Sequence, residues 1–213
     1  MKDSCRRKKQ DQCSFVSVQN VNSALVQSQR MQVIAQCVEI QLKDNMERSI
    51  HSSMDLVRVD FMIRRVGLDD LDEVMRIERS CFPVAWEYTI FLNICLQNGE
   101  MRSGESRTLF MDVIENGAEV AGYVVWEIDA KTKEGHILNL ATRQDERRSG
   151  KAKRLLAHAL NNLRNAQIST CHLEVRESNL PARRLYESYG FIETDRIQGY
   201  YFDEDAIIYS INL

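Results

Sequence analysis

The feature that most constrains this chain is a pair of largely apolar, β-branched- and aromatic-rich runs joined by Asn116-Gly117, one over residues 108–115 and the other over 119–128. An Asn-Gly pair between two such runs specifies a tight hairpin, because both central residues of the favoured turn need positive φ. An isolated hairpin is marginal in water, so it must extend into a larger sheet. The flanking sequence supplies the partners. Residues 62–66 read as a short strand. Residues 67–80 then place Leu71, Val74, Met75 and Ile77 at helical spacing, with Asp69 and Asp70 at the positive end of the helix dipole. A second helix is expected over 88–96. Strands at 135–142, 170–176, 191–197 and 205–212 follow, with helices at 150–165 and 180–189, the latter closed by Gly190. The order β-α-α-β-β-β-α-β-α-β-β predicts an α/β fold, a mixed and mostly antiparallel seven-stranded sheet with helices on both faces.

Residues 1–60 do not share this regularity. They are rich in Gln, Asn and Ser, contain neither Pro nor Gly, and offer one amphipathic stretch (Val33, Ile34, Cys37, Val38, Ile40, Leu42) with nothing evident to pack against it. The segment is expected to be a poorly ordered extension, or the product of an upstream start codon, since Met54 and Met62 stand just before the regular pattern. An arm that docks a partner is the alternative. The folded domain is expected over 61–213.

Charge narrows the function. The chain carries −3 overall, yet residues 1–53 hold eight Lys/Arg against five Asp/Glu, which leaves −6 on the rest. A body of that sign lacks the basic face that nucleic-acid binding requires, and would draw a basic partner instead. No apolar run approaches the ~20 residues that cross a bilayer, and none of signal-peptide type follows Arg6, Arg7, Lys8 and Lys9. A cytoplasmic protein, monomeric or weakly dimeric, is expected, with no membrane partner. The six cysteines show no paired spacing and are expected as reduced thiols; the four histidines are scattered, so no metal site is expected.

Between the strand ending at Thr142 and the helix from Gly150 stands Arg147-Arg148-Ser149-Gly150-Lys151-Ala152. Small residues at 150 and 152 let a phosphate approach the backbone. The amides of the following first turn have no intrahelical partner and lie at the positive end of the helix. Arg147, Arg148, Lys151 and Lys153 add charge. No Gly-Lys-Ser/Thr is present, so no Mg²⁺-nucleotide site is suggested.

Set in context, these residues resemble a known family. Ile137-Leu138-Asn139-Leu140-Ala141-Thr142 followed by Arg147-x-x-Gly150-x-Ala152 is similar to the cofactor motif of the GNAT superfamily. Leu173-Glu174-Val175-Arg176, Ser178-Asn179, Leu185-Tyr186-Glu187-Ser188-Tyr189-Gly190-Phe191, and Gly199-Tyr200-Tyr201 with Glu204-Asp205-Ala206-Ile207-Ile208 continue it. Over residues 62–213 the succession resembles the RimI-type ribosomal-protein-alanine N-α-acetyltransferases. Arg143-Gln144-Asp145-Glu146 stand where the family often has Pro and an aromatic. Phe82-Pro83-Val84-Ala85-Trp86 is similar instead to the Phe-Pro-Val-x-Tyr segment of eukaryotic N-terminal acetyltransferases.

The resemblance implies acetyl transfer from acetyl-CoA, with no metal, to a peptide or protein N-terminus, a basic ribosomal protein being the expected acceptor. It implies Glu174 as base and Tyr186 as acid. The backbone of Leu140, Ala141 and Thr142 would bind the pantetheine, residues 147–153 (Arg147, Arg148, Ser149, Gly150, Lys151, Ala152, Lys153) the diphosphate, and Asn179 the coenzyme arm. Phe82, Trp86, Tyr200 and Tyr201 are candidates for the acceptor groove. Two other readings are a GNAT enzyme acting on lysine, polyamine or another small amine, and a CoA-binding module without turnover.

Overall fold

The computed structural model describes residues 61–201 and 203–213; the expectations for residues 1–60 fall outside them. Eight strands form one sheet: β1 (Ile63–Arg65), β2 (Glu100–Ser103), β3 (Arg107–Asn116), β4 (Glu119–Asp129), β5 (Glu134–Thr142), β6 (Thr170–Arg176), β7 (Ile192–Ile197) and β8 (Ala206–Asn212). Their lateral order is β1-β3-β4-β5-β6-β8-β7, with β2 also on β3. Every pairing is antiparallel except β5–β6. The predicted hairpin is present, but its two-residue loop is Gly117-Ala118: Asn116 pairs with Glu119 as the last rung, and Gly117 alone takes positive φ, 65°.

The sheet has one strand more than the seven expected. β2 carries the sequence Glu-Met-Arg-Ser and lies mostly exposed, so it has no alternation to betray it. Backbone pairing to residues 107–110 of β3 alone makes it a strand.

Four helices accompany the sheet: α1 (Leu71–Cys81), α2 (Tyr88–Leu96), α3 (Lys151–Asn165) and α4 (Leu180–Glu187). Leu71, Val74, Met75 and Ile77 are buried on the inner face of α1, as their spacing predicts, and Leu155, Leu156, Ala159, Leu160 and Leu163 on that of α3. A single apolar cluster runs from Val66 to Tyr209 through the sheet and all four helices. Gly135 shows how tightly α3 is seated: a β-carbon there would lie 2.7 Å from Leu163 Cδ1. None of the helices among the described residues is long and apolar enough to cross a membrane.

Candidate active site

The sheet opens between β5 and β6. These parallel strands pair only at Glu134↔Thr170, Gly135↔Cys171 and His136↔His172, although β5 continues to Thr142 and β6 to Arg176. In β5, Leu138 is an extra residue: Val125 faces Asn139 while Trp126 faces Ile137. Such a bulge bends its strand and steepens the twist. A wedge results, walled by residues 137–142 on one side and 173–176 on the other.

Alternation along β6 buries Cys171, Leu173 and Val175 and leaves His172, Glu174 and Arg176 half-buried on the other face. Oε2 of Glu174 is hydrogen-bonded to Nε2 of His136 at 2.7 Å, and the His136 and His172 rings stack with centroids 4.1 Å apart. At the start of α4 the Asn179 side-chain oxygen accepts the N–H of Ala182 at 3.2 Å, a true N-cap, with Pro181 in the first turn. Tyr186, later in that helix, is wholly buried, edge-on to Phe191 and tilted against Tyr209. Burial holds its phenol well above the ordinary pKa, so it stays a protonated donor.

Among the described residues five buried side-chain polar atoms have no hydrogen-bond partner: Trp86 Nε1, Asn139 Oδ1, Arg147 Nε, Asn179 Nδ2 and Tyr186 Oη. Leaving such an atom unsatisfied costs about 1–3 kcal/mol, so native proteins keep few of them. Arg147, Asn179 and Tyr186 all belong to the set that the sequence assigned to coenzyme and acid. The residues present therefore fit an incoming polar group there.

The loop ahead of α3 has the expected backbone. Arg148 and Gly150 adopt positive φ (64° and 84°), Gly150 is the N-cap residue, and no side chain caps the helix. Nothing lies within 4 Å of where a Gly150 β-carbon would stand, so the space above it is open. The basic side chains divide. Arg148 and Lys153 point outward, whereas Lys151 is buried, its Nζ 2.5 Å from Glu146 Oε2 and 4.1 Å from the centre of the Phe61 ring. Its charge is spent on Glu146; only its amide remains for a ligand. Ser149 likewise donates its hydroxyl to the Glu146 carbonyl at 2.6 Å. Leu140, Ala141 and Thr142 lie on β5 beyond its last rung with β6, paired to Val124, Tyr123 and Gly122 of β4.

The acceptor candidates separate in a similar way. Tyr200 and Tyr201 pack edge to face in a small cluster with Ala206. The Arg176 guanidinium lies 4.3 Å from the centre of the Tyr201 ring. Burial first, then the nearby Tyr200 and Glu174, raises the Tyr201 phenol well above its ordinary pKa; Arg176 opposes this and Tyr186 adds to it. Glu174 and Tyr186 thus each bear on the Tyr201 phenol. Phe82 and Trp86 instead join the main core, where Trp86 packs on Phe91. The acidic run at 203–205 is engaged: Arg176 binds Asp203 and Glu204, and Asp205 accepts the Gly199 amide. A cleft of about 370 Å³ between α1 and residues 143–145 contains none of these residues. Arg143 is paired there with Glu119 and Asp145, which marks the cleft as a solvated furrow.

Two residues that the sequence did not single out stand at the centre. His136 could have been found only by knowing its rung opposite His172. Glu78 has a local signal, a carboxylate on the buried face of α1, and it accepts the Trp86 amide at 2.7 Å, the Tyr123 hydroxyl and the Asn139 amide at 3.3 Å.

Comparison with known proteins supplies the rest. The Acetyltransferase (GNAT) family profile matches residues 71–191. An N-alpha-acetyltransferase of Saccharolobus solfataricus is 29% identical over 161 residues, 70% of this chain and 91% of that one. The [ribosomal protein bS18]-alanine N-acetyltransferase of Escherichia coli K12 is 31% identical over 146 residues, 67% of this chain and 90% of its own. The crystal structure of the E. coli ribosomal-protein-S18-alanine N-acetyltransferase superposes with a TM-score of 0.60 at 28% identity, covering 71% of this chain and 93% of that one. Arabidopsis thaliana NAA60, solved with acetyl-CoA, shares the fold with a TM-score of 0.61 at 20% identity, over 72% and 98% of the two chains. With more than half its length matched to that profile, the chain belongs to the GNAT family of acetyltransferases.

Proposed function

We propose that this protein acetylates the N-terminal α-amine of a protein, a basic ribosomal protein in the cytoplasm, by direct attack in a ternary complex. The names of the archaeal and E. coli relatives support N-terminal acetylation. The negative charge outside residues 1–53 favours a basic acceptor.

Acetyl-CoA supplies the acyl group as a thioester. The residues that would hold it are the amides of Gly150, Lys151, Ala152 and Lys153 at the uncapped start of α3, with Ser149 and the side chains of Arg147 and Arg148. The backbone of Leu140, Ala141 and Thr142 would line the wedge, and Asn179 would use its partnerless amide. The first turn of α3 suits an anion because its N–H groups point outward at the positive end of fifteen aligned peptides.

An α-amine has a pKa of about 7.7–8.0, so at neutral pH much of it is protonated and cannot attack. Glu174 takes that proton, directly or through water. His136 fixes the carboxylate through Oε2. Tyr186 gives a hydrogen bond, and then its proton, to the departing sulfur. No acyl-enzyme is needed: the Cys171 thiol is wholly buried and its pKa is pushed far up by burial, which makes it a poor nucleophile. Tyr200 and Tyr201 flank the approach.

The observation that carries this reading is the buried Tyr186 hydroxyl, which has no hydrogen-bond partner within the fold. Free CoA release with peptide acceptors tests it. Glu174→Gln and Tyr186→Phe should each lower kcat/KM by about 10²–10⁴, the usual worth of a positioned acid or base. Peptides with free N-termini should be acetylated and blocked ones should not. Acetylation confined to blocked, lysine-containing peptides, or an undiminished rate in the double variant, overturns the reading.

A further inference from the structure

The four histidines are dispersed in sequence, but the fold brings two of them beside an acid. His136 and His172 face one another across the last rung of the parallel β5–β6 junction, and Glu174 lies two residues further along the same face of β6. One ligand atom from each of the three lies within 4.8 Å of the other two. The His136 and Glu174 side chains are only 7% and 12% exposed. Glu127, opposite His136 on β4 and nearly buried, has its charge offset by Arg107 at 3.7 Å.

We infer that His136, His172 and Glu174 form a binding site for a divalent transition metal of the Zn²⁺ class at the root of the wedge. Two imidazoles and a carboxylate are the donor set that this borderline ion takes, at about 2.0–2.2 Å from each ligand atom. At those lengths tetrahedral ligands stand about 3.3–3.6 Å apart. His136 and Glu174 are already closer than that, and the remaining separation closes by small side-chain rotations. The ion replaces the proton held between Nε2 and Oε2, which leaves to solvent. The fourth position stays open to water from the wedge. Nitrogen and oxygen donors of this kind disfavour Mg²⁺ and Ca²⁺, which take all-oxygen sites. Occupation withdraws Glu174 from proton transfer, so the ion acts as a reversible inhibitor. This last consequence rests on the proposed role of Glu174; metal binding itself does not.

The test is a Co²⁺ titration of the full chain, followed by visible d–d absorption and by displacement with Zn²⁺, in parallel with CoA release. The wild type should give four-coordinate Co²⁺ bands without thiolate charge-transfer absorption. His172→Ala, which leaves the His136–Glu174 bond in place, should weaken Co²⁺ binding at least tenfold, and His172→Gln, closer in volume, should do the same. Zn²⁺ should inhibit the wild type, a chelator should restore it, and both variants should need at least tenfold more Zn²⁺ for half-inhibition of their own basal rates. Equal Co²⁺ affinity in wild type and variants, or a thiolate band, overturns the site. Tight binding without inhibition upholds the site and counts against Glu174 as the base.

Discussion

Two groups of buried polar side chains in this molecule are built on opposite principles. Around Asp112 the bonds are closed. Its carboxylate accepts from Arg65 Nη1 at 2.5 Å and from Trp126 Nε1 at 2.8 Å, with His158 Nε2 at 3.3 Å. The Arg65 guanidinium lies over the rings of Phe110 and Trp126. Burial pushes the Asp112 carboxyl up, but His158, Trp126 and Arg65 together outweigh it and hold the group below the usual carboxylate range. Around Tyr186, Asn179 and Arg147 the bonds are open. The first group stabilises the fold. The second has no protein partner for Tyr186 Oη, Asn179 Nδ2 or Arg147 Nε, so a ligand or water must complete it, and such openings persist where they serve function.

The contrast can be broken experimentally, most severely at Asp112. Replacing it with Ala strands Trp126 Nε1 and a partly buried Arg65, and should lower unfolding free energy by about 3–5 kcal/mol, as expected when one partner of a buried pair is removed; urea denaturation measures this. A loss below about 1 kcal/mol, the worth of an exposed pair, would dissolve the distinction.

Glu78 is intermediate, and pH separates its contribution. Burial raises its pKa from 4.5 to about 7, against the donors Trp86 N–H, Tyr123 O–H and Asn139 N–H. A raised pKa means that the folded state binds the proton more tightly. The contribution is therefore complete below pH 4.5 and is lost as pH climbs through about 7. Denaturation midpoints at pH 5 and pH 8 should show wild type losing up to roughly 3 kcal/mol relative to Glu78→Gln, which cannot ionise. A pH-independent difference between the two would refute this account.

The smallest effect is the most diagnostic. Tyr186→Phe removes a hydroxyl that has no partner, so it should leave stability unchanged or raise it by about 1 kcal/mol, even while turnover collapses. Destabilisation by Tyr186→Phe would mean that the hydroxyl already has a partner within the fold, and the open group would then resemble the closed one.

How much of this was legible beforehand follows from where the information resides. Apolar runs around a turn and helical spacing are local, so residues 108–128 and the buried face of α3 were readable. β2 was not, because Glu-Met-Arg-Ser, three polar residues around one methionine, becomes a strand only when β3 offers it an edge. The order of motifs pointed to Glu174 and Tyr186, and each bears electrostatically on the Tyr201 phenol. It could not show that Glu174 is held by His136, a residue 38 positions earlier, since that contact depends on a parallel register. Nor could it show that Lys151 turns inward. A lysine beside a glycine at a helix start reads as a phosphate ligand until Glu146 and Phe61 are seen to claim it. Phe82 and Trp86 illustrate the same limit: an aromatic near a loop can wall a groove or fill a core, and only the packing decides.

The three rungs that join β5 to β6 make the wedge between them a caliper whose pivot lies at Gly135 and His136. One jaw is steadied by β4 and the other by β8, so the aperture is set where the jaws meet, and nothing at the tips needs to change for it to alter. A methyl group added at Gly135 would press on Leu163 from behind the pivot and spread or skew the jaws. The opening between the jaws is thus bounded from the opposite side of the sheet, where Leu163 backs Gly135.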